Sequence, residues 1–174
     1  MREDGIVIKA IQHGDEVAME ELVYRYYDEI FYYIYRLGSS YEEAKDLTQE
    51  VFIAMMKALP KYKEQGNFKA WLYKIAHNRS LNHFRQNRKQ IYLEVDLERL
   101  KVDVDFSEQL VNQALMKELL NTLPKKQSST LLLKYYHGFT IPEIARITGS
   151  TVPAVKSRLF QGLQKLKKMV MEGN

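Results

Sequence analysis

Hydrophobic residues recur at helical spacing along most of the chain, and no long stretch alternates in the manner of a strand. Between Ala44 and Leu59, apolar side chains fall three or four residues apart, which places them along one side of a helix. Ser40 and Glu43 fit a capping box at its start, and Pro60 ends it. This pattern predicts an all-α fold.

Two more helices are predicted in the first half of the chain. Asp15 can cap a helix that Gly38 terminates, and Asn67 can cap another that carries a core face from Phe68 to Ile75. Beyond that face the apolar stripe weakens and gives way to aromatic and basic residues. The third helix is therefore expected to have one face in the core and a second face free to bind.

Residues 89–106 mix apolar and charged positions without a clean period. We predict that they form a flexible linker between a helical domain at 1–88 and a second helical domain at 107–174. At about 3.3 Å per extended residue, such a linker could span some tens of ångströms.

The second domain is predicted to begin with a helix from Ser107 and a helix over 126–136. Thr140 and Glu143 then fit a second capping box before a short helix, and Gly149 ends it. A long basic helix follows. A short helix, a tight turn containing glycine and a longer helix form the pattern of a helix-turn-helix.

The charges lie in alternating blocks, which the formal net charge of +4 hides. Residues 1–60 carry 6 basic and 12 acidic side chains, and residues 61–90 carry 8 and 1. Residues 91–123 carry 3 and 7, and residues 124–174 carry 9 and 2. Two basic blocks, each preceded by an acidic one, indicate two separate surfaces for an anionic partner.

Composition excludes several classes of site. The absence of cysteine removes disulfides, thiolate metal sites and cysteine nucleophiles, and the four histidines are too scattered for an imidazole metal centre. No apolar run approaches the roughly 18 residues that a membrane helix needs, and the first residues do not have the pattern of a signal peptide. We expect a cytoplasmic protein without a cofactor.

The outward face of the last helix carries side chains suited to duplex DNA. Lys and Gln can donate to purine edges, Ser can contact a base or a phosphate, and Phe can contact a thymine methyl group. The residues concerned are Lys156, Ser157, Phe160 and Gln161. The alternative is a solvated basic face on an ordinary helical bundle.

The first basic block interleaves aromatic rings, amides and cations. Lys74, Asn78, Arg79 and Arg85 have no obvious internal partner in this acid-poor stretch, a mixture that suits single-stranded or opening DNA. Trp71 is more simply explained as a core residue. The block is predicted to contact nucleic acid.

The acidic helix before it presents Asp46, Gln49, Glu50 and Ile53 away from its core side. Three interpretations stay open here: a solvated face, a docking surface for basic helices of another protein, or a metal-dependent nuclease site at Asp46 and Glu50. One carboxylate pair without a third ligand is weak support for the nuclease.

Three segments in this order and spacing resemble one known family. They are DLTQEVF at 46–52, FKAWLYKIAHN at 68–78, and the stretch from Leu123-Pro124 through Glu143-Ile144-Ala145 to VKSRL at 155–159. They resemble the bacterial RNA polymerase sigma factors of the extracytoplasmic-function (ECF) group of the sigma-70 family, and the resemblance covers about residues 5–170.

The resemblance implies a role for each surface. The acidic helix would dock on the β′ clamp helices of core RNA polymerase through Asp46, Gln49, Glu50 and Ile53. The loop and helix after it would recognise and help melt the −10 promoter element and capture a flipped non-template base, through Tyr62, Asn67, Lys74, Asn78, Arg79, Asn82 and Arg85. The second domain would read the −35 element as duplex through Lys156, Ser157, Arg158, Phe160 and Gln161, with Arg158 bonding either a phosphate or Glu143.

The implied partners are core polymerase, including its β subunit, promoter DNA as duplex and as non-template single strand, and an anti-sigma factor, which in many relatives is bound to a membrane. No small-molecule substrate and no catalysis are implied. Gln161 stands where the family often has Arg, and Ala154 where it often has Thr, which alters the expected −35 sequence because Gln prefers adenine. A conventional transcription activator is the other alternative, and it would bind DNA tightly without polymerase.

Overall fold

The computed structural model describes residues 3–63, 67–87 and 116–172, and within these ranges the chain contains helices, turns and loops but no strand. The prediction of an all-α fold is confirmed. In chain order the helices are α1 (Asp4–Gln12), α2 (Glu16–Arg36), α3 (Tyr41–Ala58), α4 (Phe68–Asn87), α5 (residues 116–121 in the described part), α6 (Lys125–Leu131), α7 (Ile141–Thr148) and α8 (Val152–Glu172).

The predicted caps form as expected, because each depends only on neighbouring residues. Asp15 accepts a hydrogen bond from the backbone N–H of Ala18 at 3.1 Å. Ser40 and Glu43 form a complete capping box at the start of α3. After Ala58, a short 3₁₀ turn (Leu59–Lys61) carries Pro60 and ends the helix.

Helices α1 to α4 enclose the core of the first half, with α2 packed against α3 and α3 against α4. Leu22, Met55 and Leu72 are fully buried there. Tyr33 is also fully buried, and its hydroxyl lies 3.0 Å from Nδ1 of His77 on α4. This polar pair crosses the core between α2 and α4 and fixes their relative rotation.

The second half is built on the packing of α6 against α8, with α7 alongside. A wide π turn (Leu132–Tyr136) extends α6, and the N–H of His137 donates to the carbonyl of Leu132 at 3.0 Å. Leu133, Ile144 and Val155 are fully buried between the helices. The sequence predicted one helix over 126–136, but not the π turn that ends it.

The two halves lie in contact, and α4 packs along α7. The predicted linker at 89–106 and the helix start at Ser107 lie outside the described residues, so the domain boundaries at 88 and 107 stay predictions. None of the helices in the described ranges combines the length and hydrophobicity needed to span a lipid bilayer.

Candidate nucleic-acid interface

The helix-turn-helix begins with a capping box that the sequence predicted. The N–H of Thr140 donates to Glu143 Oε2 at 2.8 Å, and Thr140 Oγ1 faces the N–H of Glu143. Gly149 ends α7 in the left-handed region, with φ of 59°, which glycine adopts without the steric penalty of a side chain. Thr151 Oγ1 then accepts from the N–H of Ala154 at 3.3 Å and begins α8. These local bonds set the direction of α8.

One face of α8 carries the predicted DNA-binding side chains into solvent. Val155 and Leu159 are buried against the rest of the second half. The predicted base-reading residues are exposed on the opposite side: Lys156, Ser157, Phe160 and Gln161. Phe160 is 66% exposed, and an aromatic ring in that position has no role in the core of the described chain.

Arg158 has a different position from these four residues. It is half-buried, and its Nη1 donates to Ser150 Oγ at 2.6 Å, in the turn between α7 and α8. Glu143, the predicted protein partner of Arg158, instead bonds Thr140 and Asn67. That half of the prediction is wrong, because the Thr140 capping box already occupies the carboxylate. Arg158 stiffens the turn on which α8 is mounted.

A second stripe of polar and basic side chains runs along α4. Asn67 begins the helix, where its Oδ1 accepts from the N–H of Ala70 at 2.9 Å. The exposed members recur three or four residues apart and therefore share one side of the helix: Lys74, Asn78, Asn82 and Arg85. Arg79 is half-buried beside this stripe.

Two of these cations have internal partners, contrary to the sequence-based expectation. Arg79 Nη1 donates to Glu50 Oε2 on α3 at 2.9 Å, and Arg85 Nη2 donates to Asn82 Oδ1 at 3.2 Å. The acid-poor composition of residues 61–90 was misleading because Glu50 comes from the preceding helix. Both members of the Arg79–Glu50 pair are about half exposed, so the pair is expected to contribute at most about 1 kcal/mol.

The aromatic residues of α4 divide between the core and the surface. Tyr73 is fully buried, whereas Trp71 is only half-buried and lies 4.7 Å from the ring of Tyr62. Tyr62 stands in the loop before α4, and the Tyr62 and Trp71 rings also contact Phe68. Trp71 packs against the core, as the simpler interpretation expected.

The predicted polymerase-docking residues of α3 are all exposed: Asp46, Gln49, Glu50 and Ile53. Ile53 is 47% exposed and has Met56, 39% exposed, three residues later on the same side. Sequence reasoning missed Met56, although the spacing from Ile53 could have revealed it. The surface is therefore acidic with an apolar centre, and it continues toward exposed Tyr24 and Val17 of α2.

The nuclease alternative has little support from this geometry. Glu50 is paired with Arg79, which already neutralises one of the two proposed ligands. Among residues 3–63, 67–87 and 116–172, no three His, Asp or Glu side chains are grouped as metal ligands.

The contact between the halves involves the predicted −10 surface directly. Asn67 Nδ2 donates to Glu143 Oε1 of α7, and the Tyr73 hydroxyl lies 2.8 Å from Nδ1 of His137. Beside these bonds, a cleft of about 700 Å³ separates Trp71 and Lys74 from the turn that precedes α8. The predicted DNA-binding residue Asn67 is thus occupied by the other half of the chain.

A second set of contacts joins the end of α2 to the second half. Arg36 is almost fully buried, donates to the Tyr136 hydroxyl at 2.5 Å, and lies 3.9 Å above the Tyr136 ring. Burial lowers the pKa of Arg36. Lys117 of α5 donates to the carbonyl of Ser39 at 2.8 Å.

Burial also affects the two histidines near the contact. Burial lowers the pKa of His137 to about 4, and Lys69 and Arg36 lower it further by charge repulsion. Burial likewise lowers the pKa of His77 to about 4, with a smaller contribution from Arg158. Both imidazoles are neutral at neutral pH, and Nε2 of His137 is buried without a hydrogen-bond partner among the described residues.

Comparison with known proteins confirms the predicted resemblance. Residues 22–90 match the family model described as Sigma-70 region 2, and residues 113–166 match Sigma-70, region 4. The chain is 28% identical over 178 residues to the ECF RNA polymerase sigma factor SigW of Bacillus subtilis, covering 95% of each chain. It is 36% identical over 180 residues to the ECF RNA polymerase sigma factor SigD of Mycobacterium tuberculosis, covering 95% of this chain and 82% of the relative.

Two solved structures share the fold. The structure of CnrH in complex with the cytosolic domain of CnrY matches with a TM-score of 0.78 at 22% identity, covering 98% of this chain and 99% of CnrH. The sigma factor RpoE from Bartonella quintana, crystallised with the anti-sigma factor NepR, matches with a TM-score of 0.71 at 21% identity, covering 87% and 96%. These likenesses concern the fold alone.

Proposed function

The chain belongs to the extracytoplasmic-function group of the sigma-70 family, and from that premise we propose how its helical halves divide the work of promoter recognition. As a member of this family it binds core RNA polymerase and directs transcription initiation at specific promoters. The proposed domains are 1–88 for polymerase docking and the −10 element, 89–106 as linker, and 107–174 for the −35 element.

Helix α8 reads the −35 element as duplex in this proposal. The observation that carries it is the exposed face of α8, where Phe160 and Gln161 point away from buried Val155 and Leu159. A helix with one apolar side fixed and one donor-rich side free fits the major groove. Lys156 and Ser157 complete the base-reading set, while Arg158 supports the turn and can reach a phosphate.

Helix α4 and the loop before it bind the −10 element in this proposal. Their contacts would come from Tyr62, Asn67, Lys74, Asn78, Arg79, Asn82 and Arg85. The stripe supplies cations and amides for a single strand, and the half-buried Tyr62–Trp71 pair offers an edge for an unstacked base. Because these groups bind bases only once they leave the duplex, their binding energy offsets part of the unstacking.

Helix α3 docks on the polymerase in this proposal. Asp46, Gln49 and Glu50 surround the apolar Ile53, which suits a partner with basic helices such as the β′ clamp. Met56 extends the apolar centre by one helical turn. The β subunit would then contact the second half.

An anti-sigma factor is the proposed regulator of the chain. CnrH and RpoE were both solved in complex with such partners or their domains, and the chain shares their fold. The regulator in this case is proposed to be membrane-bound, with the chain itself cytoplasmic and without catalysis of its own.

Run-off transcription on a randomised promoter library, with core polymerase and with or without the chain, tests this function. We expect enriched promoters with a −10 and a −35 element only when the chain is present. Tight binding of the free protein to one of these sites, at the affinity of the complex with polymerase, would instead support a conventional activator.

A further inference from the structure

The amide of Gln161 is held at both ends. Gln127 Nε2 donates to Gln161 Oε1 at 3.0 Å, and Gln161 Nε2 donates to Ser157 Oγ at 3.2 Å. Gln161 and Ser157 are exposed on the outward face of α8, whereas Gln127 lies in the first turn of α6 and is only 8% exposed. A buried side chain of one helix therefore restrains an exposed side chain of another.

Gly162 makes this restraint possible. A Cβ atom at that position would lie 2.9 Å from Leu131 Cδ1 and 3.7 Å from Gln127 Cβ, so the missing side chain lets α6 approach α8 closely. Gly162 follows Gln161 directly in the sequence. The close approach thus occurs where Gln127 reaches the base-reading face.

The restraint leaves Gln161 able to bind DNA. A glutamine amide has two oxygen lone pairs and two N–H donors, and the two observed bonds use one of each. A bidentate pair with adenine needs one acceptor for N6 and one donor for N7, which is what remains. Gln161 can therefore read adenine without giving up either bond.

We propose that Gln127 is a positioning residue that fixes the direction in which Gln161 presents its amide to a base pair, an inference that rests on the proposed −35 reading by Gln161. An unrestrained amide rotates by about 180° between two equivalent positions. One direction matches the order of N7 and N6 in an A·T pair, and the reverse matches T·A. Fixing the direction converts a preference for adenine into a preference for adenine on one strand.

The burial of Gln127 explains why its own amide keeps its direction. Its Oε1 is buried without a hydrogen-bond partner among the described residues. Rotation of the amide would place an NH₂ group, with two donors, in that position. Unpaired buried N–H groups are tolerated less well than an unpaired carbonyl oxygen, so the observed direction is favoured.

Selection from a library randomised in the −35 element, using full-length chain with core polymerase, tests the proposal. Gln161→Ala first locates the base pair that Gln161 contacts, as the position whose preference disappears. At that position we expect the wild type to distinguish A·T from T·A on the order of ten-fold, the discrimination of a bidentate pair. Gln127→Leu frees the amide and should reduce this ratio toward one.

Gln127→Glu gives a sharper result, because a carboxylate only accepts hydrogen bonds. Gln161 must then turn its Nε2 toward position 127, and Ser157 can donate to Oε1. We expect the preferred pair to change from A·T to T·A, or the reverse, which a merely structural role of Gln127 would not produce. Glutamate near a helix N-terminus is also favourable, so this variant is expected to fold.

Gln164→Glu is the matched control, since it adds the same charge to the exposed side of α8 and should weaken binding to all sequences equally. An unchanged A·T to T·A ratio in both Gln127 variants, at a position that Gln161→Ala alters, overturns the positioning role and leaves the −35 assignment intact. If Gln161→Ala alters no position, the base-reading assignment itself is wrong, and the positioning role falls with it.

Discussion

The hydroxyl of Tyr73 lies 2.8 Å from Nδ1 of His137, and this bond joins the helix assigned to the −10 element to the turn before the helix-turn-helix. The Tyr73 hydroxyl also donates to Glu29 Oε2 at 3.3 Å, and Glu29 pairs with Lys69. His137 accepts at Nδ1 in this arrangement, so it must stay unprotonated there for the bond to hold. The contact between the halves therefore depends on a neutral histidine.

Acid is expected to separate the halves. Burial holds the pKa of His137 at about 4 in the closed arrangement, whereas an exposed histidine has a pKa near 6.5. Protonation therefore favours the open form, and the stability of the contact is complete above about pH 6.5 and falls as the pH drops toward 4. A distance measurement between labels on α3 and α8, from about pH 8 to pH 5, should show this opening.

His137→Asn should remove most of this pH response, because an amide can keep the bond to Tyr73 and does not titrate in the range. The matched control is His13→Asn, at an exposed position of the α1 end. An equal pH response in wild type and His137→Asn would contradict the role of His137. His77 has a pKa lowered in the same direction, but its Tyr33 bond lies within the first half.

Gly38→Ala is expected to loosen the same contact from another side. Gly38 has φ of 116°, and a Cβ there would overlap Asn121 Oδ1 and Lys125 Nζ. The backbone strain alone should reduce the free energy of unfolding by about 1–2 kcal/mol. Gly14→Ala is the matched control, since Gly14 has φ of 93° with no atom within 4 Å of the added Cβ.

Thermal unfolding and the label distance, measured on both glycine variants, separate the two effects. Both should lose stability through strain, but only Gly38→Ala should also increase the distance between the halves. Equal distances in the two variants would show that the side chains of Asn121 and Lys125 move aside without disturbing the contact.

Tyr136→Phe is expected to weaken the contact by about 1–3 kcal/mol, because it leaves a buried donor of Arg36 without its acceptor. The ring stays, so the cation–π contact at 3.9 Å is retained. Chemical denaturation followed by the label distance measures the change. Tyr135→Phe, at a neighbouring position that is 63% exposed, should have little effect, and a similar loss in both variants would contradict the assignment.

Glu50→Lys is expected to abolish association with core polymerase while leaving DNA binding by the second half intact. The substitution reverses a charge at the centre of the proposed docking surface and places it beside Arg79. Co-purification with core polymerase measures the association. Glu42→Lys, an exposed charge reversal in the first turn of the same helix, is the control.

A charge exchange distinguishes docking from folding in this experiment. Glu50→Arg combined with Arg79→Glu restores the ion pair, so a purely structural role of Glu50 would be rescued. We expect association to stay lost in the double variant. Normal co-purification of Glu50→Lys would contradict the docking assignment.

The caps of α2, α3, α4 and α7 could be predicted because each one depends on residues within one helical turn. Asp15, the Ser40–Glu43 box and Thr140 all form the bonds that their spacing indicated. The exposed face of α8 was predictable for the same reason, since helical periodicity fixes which side chains share a side.

The relations between distant segments were not predictable in this way. Glu50 reaches Arg79 across two helices, and Glu143 bonds Asn67 rather than Arg158. The role of Gln127 depends on how closely α6 approaches α8, which only the packing at Gly162 reveals. Each depends on tertiary geometry that a periodic pattern does not contain.

The bond between Asn67 and Glu143 has a consequence for how the chain finds its genes. The two promoter elements lie about 25 base pairs apart, or roughly 80 Å along the duplex at about 3.4 Å per base pair. In the closed chain, by contrast, the loop before α4 touches α7. A chain in this shape is too short a ruler for its own promoter, so it cannot measure the spacing between the elements while it diffuses alone. Searching the genome for correctly spaced pairs then becomes a property of the assembly with polymerase, which can hold the two ends of the ruler apart.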